Sequence, residues 1–325
     1  MSKIKRNGTK PQVLSAREAV EYIADQDTVA VSGAGGGIVD PYALINALHE
    51  RYVETGCPKN LTLWHSTGLG DRNDRGMSPL ALEGLVKRVI GGHWGQSPRL
   101  AEMASENKIE AYNFPQGIMA QLARTAAAGQ PGILSHVGLG TFIDPRVSGG
   151  KLNEVSQEDL IRVMNVDGKE WLYYPVVPLD VCLIRATTAD TEGYASMEEE
   201  ITYIDVLQLA QAVHNNGGTV ILQVKRLVKA GTLHPKSVKI PGFLVDAIVV
   251  EEKQEQLYNG SDRFFSGDYI ADDSAVTMLP LDQRKVVARR ALMEVRPGYV
   301  GNVGVGIADG IGNVAREEGV QDAFT

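Results

Sequence analysis

Two glycine-rich stretches, one near each end of the chain, carry the residue types best suited to chemistry. Thr28-Val29-Ala30-Val31-Ser32 runs into Gly33-Ala34-Gly35-Gly36-Gly37, and a helix is predicted from Asp40. Near the other end, Gly301-Asn302-Val303-Gly304-Val305-Gly306-Ile307-Ala308-Asp309-Gly310 follows an apolar strand candidate and opens a second predicted helix. A glycine loop between strand and helix turns free backbone N–H groups and a helix N-terminus towards an anion. Neither loop is a dinucleotide fingerprint. Gly33-Ala34-Gly35-Gly36-Gly37-Ile38 and Gly304-Val305-Gly306-Ile307-Ala308-Asp309 both lack the third glycine at its expected spacing, and the strand after the first loop ends in His65-Ser66-Thr67, with no acid for a ribose. On spacing alone the glycines could equally serve tight turns and close helix–sheet packing.

Other chemistry finds little support. The histidines (49, 65, 93, 136, 214 and 234) show no zinc-site spacing, and Cys57 and Cys182 are far apart. There is no GxSxG elbow and no GKS or GKT phosphate loop. Glu198-Glu199-Glu200 could pair with a metal, but a run of acids more often marks a solvated face. Spacing therefore leaves an α/β enzyme of unknown substrate.

The elements that must position these loops alternate. Ser15-Ala16-Arg17-Glu18 has capping-box spacing and starts a short helix to about residue 24. Asp40-Pro41 supplies an N-cap and a first-turn proline for the next helix, and Gly56 stops it. Strands are expected at 61–65, 87–91 and 109–114, with helices between them, and Ser97-Pro98 and Phe114-Pro115 repeat the proline at a helix start. This rhythm reads as α/β with a largely parallel sheet. It breaks at 140–178, which suggests an insertion or a small antiparallel element. Regular order returns with strands at 180–186, 219–224 and 245–250 and a helix at 204–214. The composition turns polar from about 258 to 277, which marks a linker. Beyond it a helix at 281–295 has Val286, Val287, Ala291 and Leu292 spaced for burial, and Ala323-Phe324-Thr325 would begin a further strand. Two strand–loop–helix units at the two ends suggest two related halves, the second one incomplete.

A chain of 325 residues and 35.1 kDa is long enough for more than one domain. Its net charge of −8 and pI near 5.4 argue against nucleic acid as the main partner. No apolar run approaches the roughly 20 residues that cross a bilayer. No secretory signal follows Met1, so no membrane role and a cytoplasmic location are expected.

Several segments together resemble the family I coenzyme A-transferases, of the single-chain acetate/propionate/acetoacetate type in which an α-like and a β-like half are fused. They are Val31-Ser32-Gly33 with Gly37 and Pro41, Phe114-Pro115-Gln116-Gly117, His136-Val137-Gly138-Leu139-Gly140-Thr141 and Leu183-Ile184-Arg185-Ala186-Thr187-Thr188-Ala189-Asp190. Asn216-Gly217-Gly218-Thr219-Val220-Ile221, Ile240-Pro241-Gly242, Ala288-Arg289-Arg290-Ala291 and Asn302-Val303-Gly304-Val305-Gly306-Ile307 continue the match over essentially the whole chain. The resemblance implies an α-type half at 1–260, a linker at 261–277 and the opening of a β-type half at 278–325. It also implies ping-pong transfer of coenzyme A between a short-chain acyl-CoA and a free carboxylate. A glutamyl-CoA thioester is the intermediate, CoA is a substrate rather than a resident cofactor, no metal is used, and a homo-oligomer is expected.

Residue by residue, Gln116 is similar to the family's glutamine that faces the acyl oxygen and would be an oxyanion donor. Asn302, Gly304 and Gly306 match the CoA side of the β-half loop, and Gly33, Gly35 and Gly37 match the α-half loop that lines the carboxylate pocket. Ala308 departs from the Gly-Ile-Pro pattern of many members. The nucleophilic glutamate is expected just past Thr325, so the isolated segment should be inactive without the rest of the β half. Glu317-Glu318-Gly319 reads instead as a solvated helix terminus. A dinucleotide-dependent oxidoreductase and a non-catalytic acyl-CoA-binding subunit remain the alternatives.

Overall fold

The computed structural model describes residues 10–269, 278–301, 303–304 and 306–320. The chain divides into two compact units, 1–268 and 269–325. In the first, β1 (Gln12–Leu14) and α1 (Ala16–Val20) lead to β2 (Thr28–Val31), α2 (Tyr42–Thr55) and β3 (Leu61–His65). Then follow β4 (Val86–Gly91), α3 (Pro98–Ser105), β5 (Glu110–Asn113), α4 (Gln116–Ala127) and β6 (Gly132–Ser135). Strands β7 (Arg162–Val166), β8 (Lys169–Pro175), β9 (Val181–Asp190) and β10 (Ala195–Ser196) precede α5 (Val206–Asn215). The unit closes with β11 (Thr219–Val228), β12 (Val238–Ile240) and β13 (Ala247–Val250).

The main sheet runs β1-β13-β11-β9-β2-β3-β4-β5, every pairing along it parallel, with β10 and β12 added antiparallel. Such a sheet must be covered on both faces, which is why central strands such as β2 and β9 are buried on both sides rather than alternating. All residues of β9 are buried. On one face lie α1, α2 and α3, through Val20, Leu44, Leu48, Leu100 and Met103. On the other lie α4 and α5, through Met119, Leu122, Leu209 and Val213. The stretch that broke the rhythm contains most of a separate antiparallel sheet, β6-β8-β7, packed on that second face through Leu172 and Tyr174.

Local signals fared unevenly. The capping box at Ser15 and Glu18 is present, although α1 stops at Val20. Gly56 ends α2 in the left-handed region at φ 66°, a conformation that costs glycine little. Between β3 and β4 there is no α-helix, only a single 3₁₀ turn at Ser78–Leu80. Asp40 does not cap α2 with its side chain: Pro41 holds the N-cap position, and the Asp40 carboxylate instead accepts from the Tyr258 hydroxyl.

The second unit has α6 (Gln283–Leu292) and α7 (Gly310–Glu317), joined by a core of Ala288, Leu292, Val314 and Ala315. Asp282 caps α6 by accepting from the Lys285 N–H. The helical repeat puts Lys285, Ala288 and Leu292 on the face turned to α7, so Val286 and Val287 are exposed, against the expectation that they would be buried. Glu317 is not solvated either: its side chain is 15% exposed and pairs with the buried Lys285 at 2.5 Å. Glu318 pairs with Arg289. The strand expected at Ala323-Phe324-Thr325 lies outside the described residues.

Candidate active site

Open parallel sheets bind ligands outside the carboxyl ends of their strands, at the point where the strand order reverses. Here the order reverses at β2, from which β3, β4 and β5 run one way and β9, β11 and β13 the other. At that edge β2 ends in the Gly33 loop, β3 in Ser66-Thr67, and β5 in Phe114-Pro115-Gln116.

Gln116 is the first residue of α4, after an extended Pro115 that offers no side-chain cap. The residue is exposed and lines a cleft of about 390 Å³ together with Ser66, Thr67, Arg124, Asp205 and Gln208, among others. Gly92, just past β4, makes the approach possible. A Cβ there would stand 2.8 Å from Gln116 Cγ and collide with the Ser66 carbonyl oxygen. Asp205 is the N-cap residue of α5 but makes no cap hydrogen bond. Its Oδ2 accepts from the Ser66 hydroxyl, which lies 139 positions away in sequence.

The glycine loop touches this cleft at one end and a second cavity at the other. Thr67 Oγ1 donates to the Gly33 carbonyl. Gly37 lines a cavity of about 250 Å³ with Asp40, Arg75, Arg185, Gln254 and Tyr258. Gly33 and Gly37 have φ of 139° and 96°, and a Cβ on Gly37 would meet the Tyr258 backbone and ring at 2.8 Å. The loop is held from outside as well, since Tyr258 N–H donates to Gly36 at 2.8 Å. Arg185 donates to the carbonyls of Gly37 and Asp40 while gripping Glu200 at 3.0 and 2.9 Å.

Two buried acids flank these cavities, each with one oxygen bonded and the other sealed without a partner among the described residues: Asp40 Oδ1 and Asp205 Oδ1. Burial pushes both carboxyls up to about 6, against the opposing hydroxyls of Tyr258 and Ser66. Each follows a β-branched residue at positive φ, Val39 at 53° and Ile204 at 42°, a strain that folded chains retain mainly where function needs it. Burial also holds His65 at about 4, so its neutral ring donates from Nδ1 to the Thr67 carbonyl at 2.5 Å. Only Glu198 of the acidic run 198–200 is an exposed residue, and the run is no metal cluster. Glu200 is buried against Arg185, Glu199 pairs with Lys225 and Arg226, and Glu198 accepts from Thr188 and Ser196. Among the described residues no cluster of His, Cys, Asp or Glu could hold a metal ion, and no helix is long and apolar enough to cross a membrane.

Of the residues picked from the sequence, Gln116, Gly33, Gly35 and Gly37 gather at one sheet edge. Gly304 and Gly306 lie in the second unit, where a Cβ on either would meet open space, although Gly306 needs its φ of 120°. Asn302 lies outside the described residues. Sequence reasoning missed Ser66 and Asp205. The Ser-Thr pair at a strand end was the available signal for the first, and Asp205 carried none beyond its place at a helix start.

Comparison with known proteins fits this geometry. Residues 13–251 match the family model for coenzyme A transferase. The chain is 61% identical over 320 residues to acetate CoA-transferase YdiF of Escherichia coli (strain K12), covering 98% of this chain and 60% of that protein. It is 40% identical over 317 residues to caffeate CoA-transferase of Acetobacterium woodii, covering 96% and 60%. The crystal structure of the acyl-CoA transferase (YdiF) apoenzyme from Escherichia coli O157:H7 superposes with a TM-score of 0.94 at 59% identity, over 99% of this chain and 62% of that one. The chain thus spans about 60% of the length of these curated relatives. With a family model matched over residues 13–251 and relatives at 61% and 40% identity along nearly its whole length, the chain belongs to the coenzyme A transferase family.

Proposed function

We propose that the full-length protein moves coenzyme A between a short-chain acyl-CoA and a free carboxylate of the acetate, propionate or acetoacetate class. The observation that carries this is the exposed Gln116 lining a cleft at the carboxyl edge of the sheet, in a chain 61% identical to an acetate CoA-transferase. A glutamate carboxylate attacks the thioester carbonyl and CoA leaves as thiolate, giving an acyl-glutamyl anhydride. The thiolate then attacks the glutamyl carbonyl and releases the first carboxylate, leaving a glutamyl-CoA thioester that a second carboxylate resolves. No strong base is required, because a carboxylate is already ionised at neutral pH and a thiolate leaves readily. The protein has to supply position, an oxyanion donor and a handle on CoA whose binding energy is used at the reacting carbonyl.

In this reading Gln116 donates to the acyl oxygen, and Gly33, Gly35 and Gly37 shape the carboxylate side. Asn302, Gly304 and Gly306 approach CoA. Residues 1–260 are an α-type half, 261–277 a linker, and 278–325 the opening of a β-type half. The nucleophilic glutamate belongs to the part of the relatives' length that this chain does not span. The enzyme is cytoplasmic and a homo-oligomer. The test is CoA exchange from acetyl-CoA to propionate by the full-length protein, with mass-spectrometric trapping of a glutamyl-CoA adduct. Transfer without an adduct would overturn the route, and turnover by residues 1–325 alone would overturn the placement of the nucleophile.

A further inference from the structure

Gln116 does not stand alone over its cleft. Ser66 lines the same cleft from the end of β3, and the missing Cβ of Gly92 is what lets the Ser66 backbone and the Gln116 side chain crowd together. Two donors converging on one carbonyl oxygen is the usual way to hold charge that develops in acyl transfer, and removing one typically costs about 10²–10³ in rate. Ser66 can act so only if its hydroxyl hydrogen points into the cleft. Its buried partner decides that. Asp205 is 4% exposed, with Oδ2 on Ser66 and Oδ1 sealed and unpartnered. As an anion it takes the Ser66 hydrogen and leaves an unpaired buried charge on Oδ1. As a neutral acid with its proton on Oδ2, it donates to Ser66 Oγ and frees the serine's own hydrogen for a ligand.

We propose that Ser66 is a second hydrogen-bond donor to the reacting carbonyl oxygen beside Gln116, with Asp205 as the positioning residue that turns its hydroxyl into the cleft. The proposal rests on the CoA-transfer reading and adds to it a donor and its control. The helix start at Asp205 follows the strained Ile204, which fits a carboxyl placed for Ser66 rather than for its own helix. The titratable and charged groups on the surrounding elements are His65 on β3, Arg124 on α4, Cys182, Arg185 and Asp190 on β9, and His214 late in α5. Lys225 and Arg226 on β11 are paired with Glu199, and Lys239 on β12 sits over the Tyr203 ring. None of these charges causes the upward shift on Asp205, which comes from burial.

The experiment compares Ser66→Ala and Asp205→Asn in the full-length protein by acetyl-CoA to propionate transfer from pH 6 to 8. Ser66→Ala is expected to lower kcat about 100-fold while KM for acetyl-CoA moves less than about threefold. Asp205→Asn keeps an N–H donor to Ser66. It is expected to abolish the parent's decline in kcat as pH rises and Asp205 ionises, leaving a flat profile from pH 6 to 8. A Ser66→Ala enzyme within about threefold of the parent in kcat would overturn the donor role. An Asp205→Asn enzyme that keeps the parent's pH profile would overturn the control. Absence of transfer in the parent itself would instead sink the underlying reading.

Discussion

Gln116 Cγ lies 2.8 Å from the point where a Cβ on Gly92 would stand, and the Ser66 carbonyl lies closer still. The amide at the sheet edge therefore depends on an absent methyl on the neighbouring strand end. Gly92→Ala must displace backbone as well as the flexible glutamine, and overpacking of this kind costs about 1–3 kcal/mol. Thermal unfolding should detect that loss, and kcat should fall at least about tenfold, since a displacement near 1 Å at a reacting centre costs about 10². Unaltered kcat in a folded Gly92→Ala protein would show that Gln116 does not need this seat.

Gln116→Ala isolates the amide itself. Because the residue is exposed and its side chain makes no hydrogen bond among the described residues, stability should hold while kcat drops about 10²–10³-fold. Affinity for CoA, read by calorimetry, should change far less. A variant that binds CoA poorly but turns over at the parental rate when saturated would assign Gln116 to ground-state binding instead.

Much of the scaffold was legible in the sequence because its signals are local. Runs of buried apolar residues marked β2, β3, β9 and β11, Gly56 marked a left-handed stop, and Phe114-Pro115-Gln116 marked a strand-to-helix corner. What stayed hidden depends on contacts between distant residues. Asp40 reads as an ordinary N-cap and Asp205 is not singled out within the helix expected at 204–214, and only the fold sets Tyr258 and Ser66 against them. The run 198–200 looked solvated because its cations, Arg185, Lys225 and Arg226, come from other strands of the sheet. Val286 and Val287 looked buried because apolar spacing alone does not say which face of α6 meets α7.

The Arg185–Glu200 pair offers a prediction about what holds the glycine loop. Its side chains are 5% and 2% exposed, and Arg185 also donates to the carbonyls of Gly37, Asp40 and Glu255. Removing one partner of a buried ion pair leaves the other charge uncompensated, at about 3–5 kcal/mol. Arg185→Met should therefore lower the denaturation midpoint more than Glu200→Gln, which keeps an acceptor for the guanidinium and leaves the backbone contacts in place. Equal losses in the two variants would mean that the three carbonyls contribute little.

Asp40 sets the sign of a pH effect on stability. Its carboxyl titrates near 6 in the fold, pushed up by burial, against about 3.9 in an unfolded chain. Between those values the folded state holds a proton that the unfolded state has lost, so this group's contribution to stability declines as pH rises from about 4 to 6. The span corresponds to a loss on the order of 3 kcal/mol by pH 7, at 1.36 kcal/mol per unit. Carboxylates such as Asp144, held low chiefly by Arg146, act in the opposite sense, so the parent's total curve does not isolate the effect. The difference between parent and Asp40→Asn does. Asparagine still accepts from Tyr258 but does not titrate, so the variant should gain on the parent as pH rises from 4 to 7, by urea unfolding at each pH. A difference that stays constant across that range would mean that Asp40 titrates in the fold as it does in the unfolded chain, and that its sealed oxygen is compensated by its surroundings.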